Sequence, residues 1–212
     1  MNEQKSSTRK VVLTLLKTEG SLSVSDLSRQ LGITEMAVRR HVNTLERDGL
    51  IEAKLVRQPL GRPAQLYSLT RSADDHFPKR YHRLALELLS ELMEEEGEER
   101  VGRLFERRKE TMYSKYSGQI EGRDLVEKVA ELAAIQNTNG YMTEWSQEKA
   151  GEFRLTEHNC PISRVANKYQ QACACELALF QRLLGAEVER TECLAEGGAK
   201  CVYLIRSVAS IG

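Results

Sequence analysis

Residues 27–50, LSRQLGITEMAVRRHVNTLERDGL, decide the fold of the first third of the chain. Gly32 supplies the left-handed residue that a sharp helix stop needs, Ile33 packs in the turn, and Thr34 caps the next helix. On that helix Val38, Val42 and Leu45 fall four and three residues apart, so they share one face. Glu35, Met36, Arg39, Arg40 and Asn43 point the other way. Asp48-Gly49 ends the helix.

This division is what a helix needs to enter the major groove of duplex DNA: an apolar side locks it to a scaffold, and guanidinium and amide groups on the other side pair with base edges or phosphates. Upstream, Val11, Val12, Leu15 and Leu16 recur at helical spacing and Glu19-Gly20 closes the run. Ser23 opens a second helix, with Asp26 in capping-box position and Leu27 and Leu31 as its buried stripe. Downstream, residues 50–56 and 65–69 read as a β-hairpin with a Gly/Pro-rich tip at 59–64, where Arg57 and Arg62 can reach a phosphate or the adjacent minor groove. Residues 1–71 carry net charge +5 and the remainder −5, hidden within an overall balance of 31 basic and 31 acidic side chains. A basic head fits a polyanionic partner. A helical domain whose arginines are merely solvated, or a winged helix that binds protein, is the blander alternative.

Residues 27–50, with the Leu31-Gly32-Ile33-Thr34 turn and the ending Leu45-Glu46-Arg47-Asp48-Gly49-Leu50-Ile51, resemble the winged helix-turn-helix of bacterial transcription regulators, with Gly61-Arg62-Pro63 similar to its wing. The resemblance implies duplex DNA as partner, with Thr34, Glu35, Met36, Arg39, Arg40, Asn43, Arg57 and Arg62 at the interface. Arg39, Arg40 and Asn43 are assigned to bases, Arg57 and Arg62 to the backbone.

Residues 71–79 are polar enough for a linker. After it come a helix with Tyr81, Leu84, Leu88, Leu89 and Leu92 that ends in the acidic run 94–99, another with Val101, Leu104, Phe105 and Met112, and a third with Leu125, Val126, Val129, Leu132 and Ala133. These helices are the candidate interface of a homodimer, since a regulator with one reading head gains affinity by presenting two to a palindromic operator.

All five cysteines lie beyond residue 159. An odd number without a signal sequence favours metal ligation or redox sensing over a disulfide framework. Strands at 141–146 and 151–156, a helix over 162–184 stopped by Gly185, and strands at 186–194 and 200–206 flanking Gly197-Gly198 make this region α+β. On a helix Cys173 and Cys175 point about 200° apart, so only one of them can face a given site. If Gly197 centres the last hairpin, Cys193 lies across from Cys201; with a two-residue turn at Gly197-Gly198 it faces Val202 instead. Thiolates from a loop, a helix and a strand suit zinc or an iron-sulfur cluster, although the close C-x2-C pairs of a zinc ribbon are absent.

Cys160-Pro161, twelve residues to Cys173, twenty-seven more to Cys201, and the segments 176–181 and 201–203 resemble the sensor domain of the SufR family, iron-sulfur-binding repressors of the Suf cluster-assembly operon. The resemblance implies a [4Fe-4S] cluster on Cys160, Cys173 and Cys201. No cysteine follows Cys201, in contrast to some members, so the remaining ligand is open among Cys193, Cys175, His158, a carboxylate, water or a small thiol; Cys193 is favoured. Zinc, or a thiol-disulfide switch, is the alternative.

The expectation is an α+β chain with a winged helix-turn-helix over 1–71, a linker and dimerising helices over 72–138, and a cysteine-containing sensor over 139–212. No apolar run approaches the roughly 20 residues of a membrane span, and residues 1–5 lack a secretory pattern, so a cytoplasmic location is expected. Nucleotide loops, paired catalytic carboxylates and zinc-protease helices are missing, and an enzyme is not expected. Cys160 as a catalytic nucleophile is the remaining enzymatic reading.

Overall fold

The computed structural model describes residues 2–57 and 63–208, with side chains from Thr8 onward. The chain divides into two units, residues 1–79 and 80–212.

In the first unit α1 (Asn2–Glu19) precedes a two-residue strand, β1 (Leu22–Ser23), then α2 (Val24–Leu31) and α3 (Glu35–Arg47). The hairpin β2 (Ile51–Val56) and β3 (Ala64–Leu69) follows, giving a three-stranded antiparallel sheet in the order β1-β3-β2. Gly32 adopts φ 65° and its N–H bonds the Ser28 carbonyl, the left-handed stop read from the sequence. Val12, Leu27, Val38, Val42 and Leu45 are fully buried and join the first three helices into one core. The short strand β1 was not foreseen; it is too brief to leave a period-2 signal. Residues 71–79, expected as a linker, instead start with a 3-10 helix (Arg71–His76) that lies against the unit. Ala73 is fully buried, and the Lys17 ammonium bonds Asp74 at 2.7 Å and stands 5.0 Å from the Phe77 ring centre.

Ser23 and Asp26 form the expected reciprocal box. The Ser23 hydroxyl, and then the Ser23 backbone N–H, hold the Asp26 carboxyl below its ordinary value. A depressed carboxyl contributes stability above its unfolded value of 3.8 and loses it as pH falls below that. Ser23→Ala is expected to cost the unit about 1 kcal/mol at neutral pH and to lose part of this acid-side dependence, as urea denaturation at pH 7 and pH 3 would measure.

The second unit begins with α4 (Tyr81–Ile120), which is two helices in one: Gly97 at φ 79°, ψ 177° breaks it inside the acidic run. Only glycine adopts that backbone at small cost. Next come α5 (Leu125–Thr138), β4 (Thr143–Lys149), β5 (Glu152–Glu157), α6 (Ser163–Ala166), α7 (Gln171–Leu184), β6 (Glu187–Glu192) and β7 (Cys201–Arg206). The four strands form an antiparallel sheet in the order β4-β5-β7-β6. The single helix expected over 162–184 is interrupted at 167–170, where Tyr169 is drawn into the core 6.4 Å from Phe105. Gly185 at φ 61° ends α7 as expected. Phe153, Leu155, Glu157, Cys201, Tyr203 and Ile205 all turn inward from β5 and β7, in a register that sets Leu155 opposite Tyr203 and Glu157 opposite Cys201. Among the described residues no helix is long and apolar enough to cross a membrane.

Candidate DNA interface and cysteine centre

In the first unit the apolar side of α3 is closed against the core while Arg39, Arg40 and Asn43 are exposed and Met36 is 76% exposed. The Thr34 hydroxyl accepts the Ala37 N–H and fixes where the helix starts. Arg39 lies 3.5 Å from Glu35, one turn earlier. Such an exposed pair is worth only a few tenths of a kcal/mol, so a phosphate can displace it. Arg9 is bound to Asp48, tying α1 to the end of α3. Arg57 is exposed just after β2, and Lys54 is an exposed cation on β2 itself. Arg62 lies outside the described residues. A rigid scaffold thus carries one helix whose outer face is built from long, hydrogen-bonding side chains.

The cysteines of the second unit come from four elements. Cys160 is half-buried in the loop after β5, Cys173 and Cys175 sit on α7, Cys193 follows β6, and Cys201 starts β7; all five are free thiols. The register question is answered by a bulge. Arg190 opposes Tyr203, the ladder slips between Arg190 and Glu192, and Glu192 then opposes Val202. Continued by one residue, that register brings Cys193 beside Cys201, with a 3-10 turn (Leu194–Glu196) and Gly197 at φ 89° closing the loop. The Gly198 N–H bonds the Cys193 carbonyl at 2.9 Å, and a Cβ on Gly198 would stand 2.8 Å from that oxygen, so only glycine lets the chain pass so near the thiol.

Cys193 is the common neighbour: it lies within electrostatic reach of Cys160, Cys173 and Cys201. One backbone donor points at sulfur, the Leu194 N–H to Cys201 Sγ at 3.4 Å. Arg190 donates to the Cys173 carbonyl at 3.1 Å, which places a cation beside the group. Cys175 points elsewhere and bonds Glu106 on α4 at 3.2 Å. His158 is turned to solvent, 3.5 Å from Glu144.

Burial pushes Cys160 up to about 11 and Cys173 and Cys201 up to about 12. Thiols so raised stay protonated at neutral pH. That is the reverse of what a nucleophilic cysteine needs, and it leaves Cys160 poorly suited to catalysis. A soft metal centre ionises such thiols by displacing their protons. The donor set therefore fits one chemically. Among the described residues no group of three or more His, Cys, Asp and Glu side chains is arranged to hold a metal ion.

Two buried acids behind the thiols were missed. Glu157 is fully buried and accepts a bond from Gln136 at 2.8 Å, while its second oxygen has no partner among the described residues. Burial raises it to about 8. Glu176, one turn after Cys173, accepts from the Tyr203 hydroxyl at 3.2 Å and is likewise raised by burial. The signal for Glu157 was its place in the inward series Phe153, Leu155, Glu157; for Glu176 it was helical spacing from Cys173.

Residues 5–52 match a family model described as winged helix-turn-helix DNA-binding. The first unit is a winged helix-turn-helix DNA-binding domain. No curated protein matches the chain. Similar solved structures include the transcriptional regulator Tm0710 from Thermotoga maritima, 22% identical over 55% of this chain and 79% of that one, TM-score 0.32. Another is NMB1585, a MarR family regulator from Neisseria meningitidis, 25% identical over 53% and 79%, TM-score 0.29. PadR of Bacillus subtilis in complex with operator DNA is 17% identical over 63% and 91%, TM-score 0.29. These scores are too low to define a shared overall fold.

Proposed function

We propose that this DNA-binding winged-helix transcriptional regulator senses iron-sulfur or redox status through a [4Fe-4S] cluster held by Cys160, Cys173, Cys193 and Cys201, and that it acts as a homodimeric repressor on a palindromic operator. Control of iron-sulfur assembly genes follows from the resemblance to the SufR family. The observation that carries the sensing is the position of Cys193, which neighbours the other three thiols although they come from a loop, a helix and a strand.

A [4Fe-4S] cluster supplies an oxygen-labile centre that changes by one electron. The chain does the rest. Leu194 directs its N–H at the Cys201 sulfur, and such bonds tune a cluster's potential. Arg190 offsets negative charge gathered on Cys173 and Cys193. Gly198 keeps the β6–β7 loop close on Cys193. Because the four thiols sit on separate elements, holding them together ties α7 to both strands of the last hairpin.

Zinc is the second reading. A Zn–S bond of about 2.3 Å sets tetrahedral sulfurs roughly 3.8 Å apart, and the four thiols belong to the same soft-metal class.

The test uses duplex DNA recovered by selection on the anaerobic wild-type chain. Affinity for that duplex is expected to fall at least tenfold after air exposure and iron chelation, and to return on anaerobic reconstitution with iron and sulfide. Equal affinity throughout would contradict the sensing role while leaving the DNA-binding domain intact.

A further inference from the structure

The first half of α4 presents an apolar face that its own unit does not cover. Tyr81 is 72% exposed, Leu84 55% and Leu88 62%. Each helical residue advances about 100°, so these three lie within about 60° of one another, and exposed Glu91 and Glu95 continue the line. Leu86, Leu89 and Met93 point roughly the opposite way and pack on the core of the unit. Exposed aliphatic and aromatic side chains in a helical stripe are a surface to be covered.

The charges indicate what covers it. Arg80, Arg83, Glu87 and Glu94 flank the stripe on one side, with the cations at the start of the helix and Glu94, Glu95 and Glu96 at its end. An isolated helix is stabilised by the reverse order, acids at its N-terminus and bases at its C-terminus. The first turn of α4 holds no acid. The arrangement therefore costs the helix stability by itself. It is relieved if a second copy lies antiparallel, because a two-fold axis across the pair then faces the same flank of each helix.

We propose that Tyr81, Leu84 and Leu88 form an isologous, antiparallel helix-helix interface between two copies of this chain. Leu88 lies near the two-fold axis, so Arg80 and Arg83 of each copy run along Glu94 and Glu95 of the other. A parallel pair would set the two arginine flanks on opposite sides of the seam, away from the Glu94 flank of the other copy. The interface deepens the two-copy part of the functional reading and is independent of the cysteine centre.

Sedimentation of the full chain at micromolar concentration tests it. Wild type is expected to be dimeric. Leu84→Glu with Leu88→Glu is expected to weaken the dimer at least a hundredfold. Arg80→Glu with Arg83→Glu, and Glu94→Arg with Glu95→Arg, are each expected to weaken it at least tenfold, and mixing these two variants restores wild-type association. A dimer that persists through Leu84→Glu and Leu88→Glu overturns this surface and leaves two-copy binding standing elsewhere. Charge variants that associate as well as wild type overturn the antiparallel sense. A monomeric wild type overturns both the surface and the two-copy reading.

Discussion

Replacing Arg39 and Arg40 together by alanine is expected to weaken binding to the selected duplex by roughly 30- to 1000-fold, with little change in the stability of the domain. A guanidinium paired with a base edge is worth about 1–3 kcal/mol of affinity, and both residues stand on the outer face of α3. Neither belongs to the core of Val38, Val42 and Leu45 beneath. The cost to folding is the loss of the exposed Arg39–Glu35 pair, worth a few tenths of a kcal/mol. Sequence preference should also relax at the base pairs the two residues contact, while the salt slope, set by phosphate contacts, stays near that of wild type. Fluorescence anisotropy over a salt series and with duplexes carrying single base-pair changes measures both quantities. A double variant that binds within twofold of wild type, with unchanged sequence preference, would remove α3 as the recognition helix.

The second large effect separates two cysteines that are two residues apart. Cys173→Ser is expected to strip iron from the purified chain to below one atom per molecule, whereas Cys175→Ser keeps the wild-type content. Cys173 lies near Cys193, and its carbonyl accepts from Arg190, while Cys175 faces Glu106 on the other side of α7. Both are buried, so each serine leaves a hydroxyl in a place built for a thiol, at a cost of about 1–3 kcal/mol if it finds no partner. Comparable folding costs make the pair its own control, with circular dichroism to check the fold. Equal iron loss in the two variants would mean that the helix, and not the ligand position, governs binding. Retention of iron by Cys173→Ser would exclude it as a ligand.

The head was legible because its determinants are local. The Ser23–Asp26 box, the left-handed Gly32, the Thr34 cap and the spacing of Val38, Val42 and Leu45 each act within a turn or two of chain, and each has the form read from the residues. The interruption at 167–170 was not legible: there Tyr169 meets Phe105, more than sixty positions away. The same applies to residues 71–79, whose polar look gave no sign of Asp74 and Phe77 meeting Lys17. At the cysteine centre, helical geometry separated Cys173 from Cys175 in advance. The pairing of Cys193 with Cys201 stayed open because it turns on a bulge near Thr191, and one residue of slip reverses which face a strand residue occupies. Glu157 and Glu176 stood at inward positions of a strand and a helix, where alternation and spacing assign burial whatever the side chain.

The sulfur centre is the claim on which the regulatory account rests, and metal analysis of the chain purified without oxygen addresses it most directly. The account predicts a coloured protein with broad visible absorption and roughly four iron and four sulfide per chain. A colourless protein carrying one zinc, or one free of metal with its thiols intact, would contradict it.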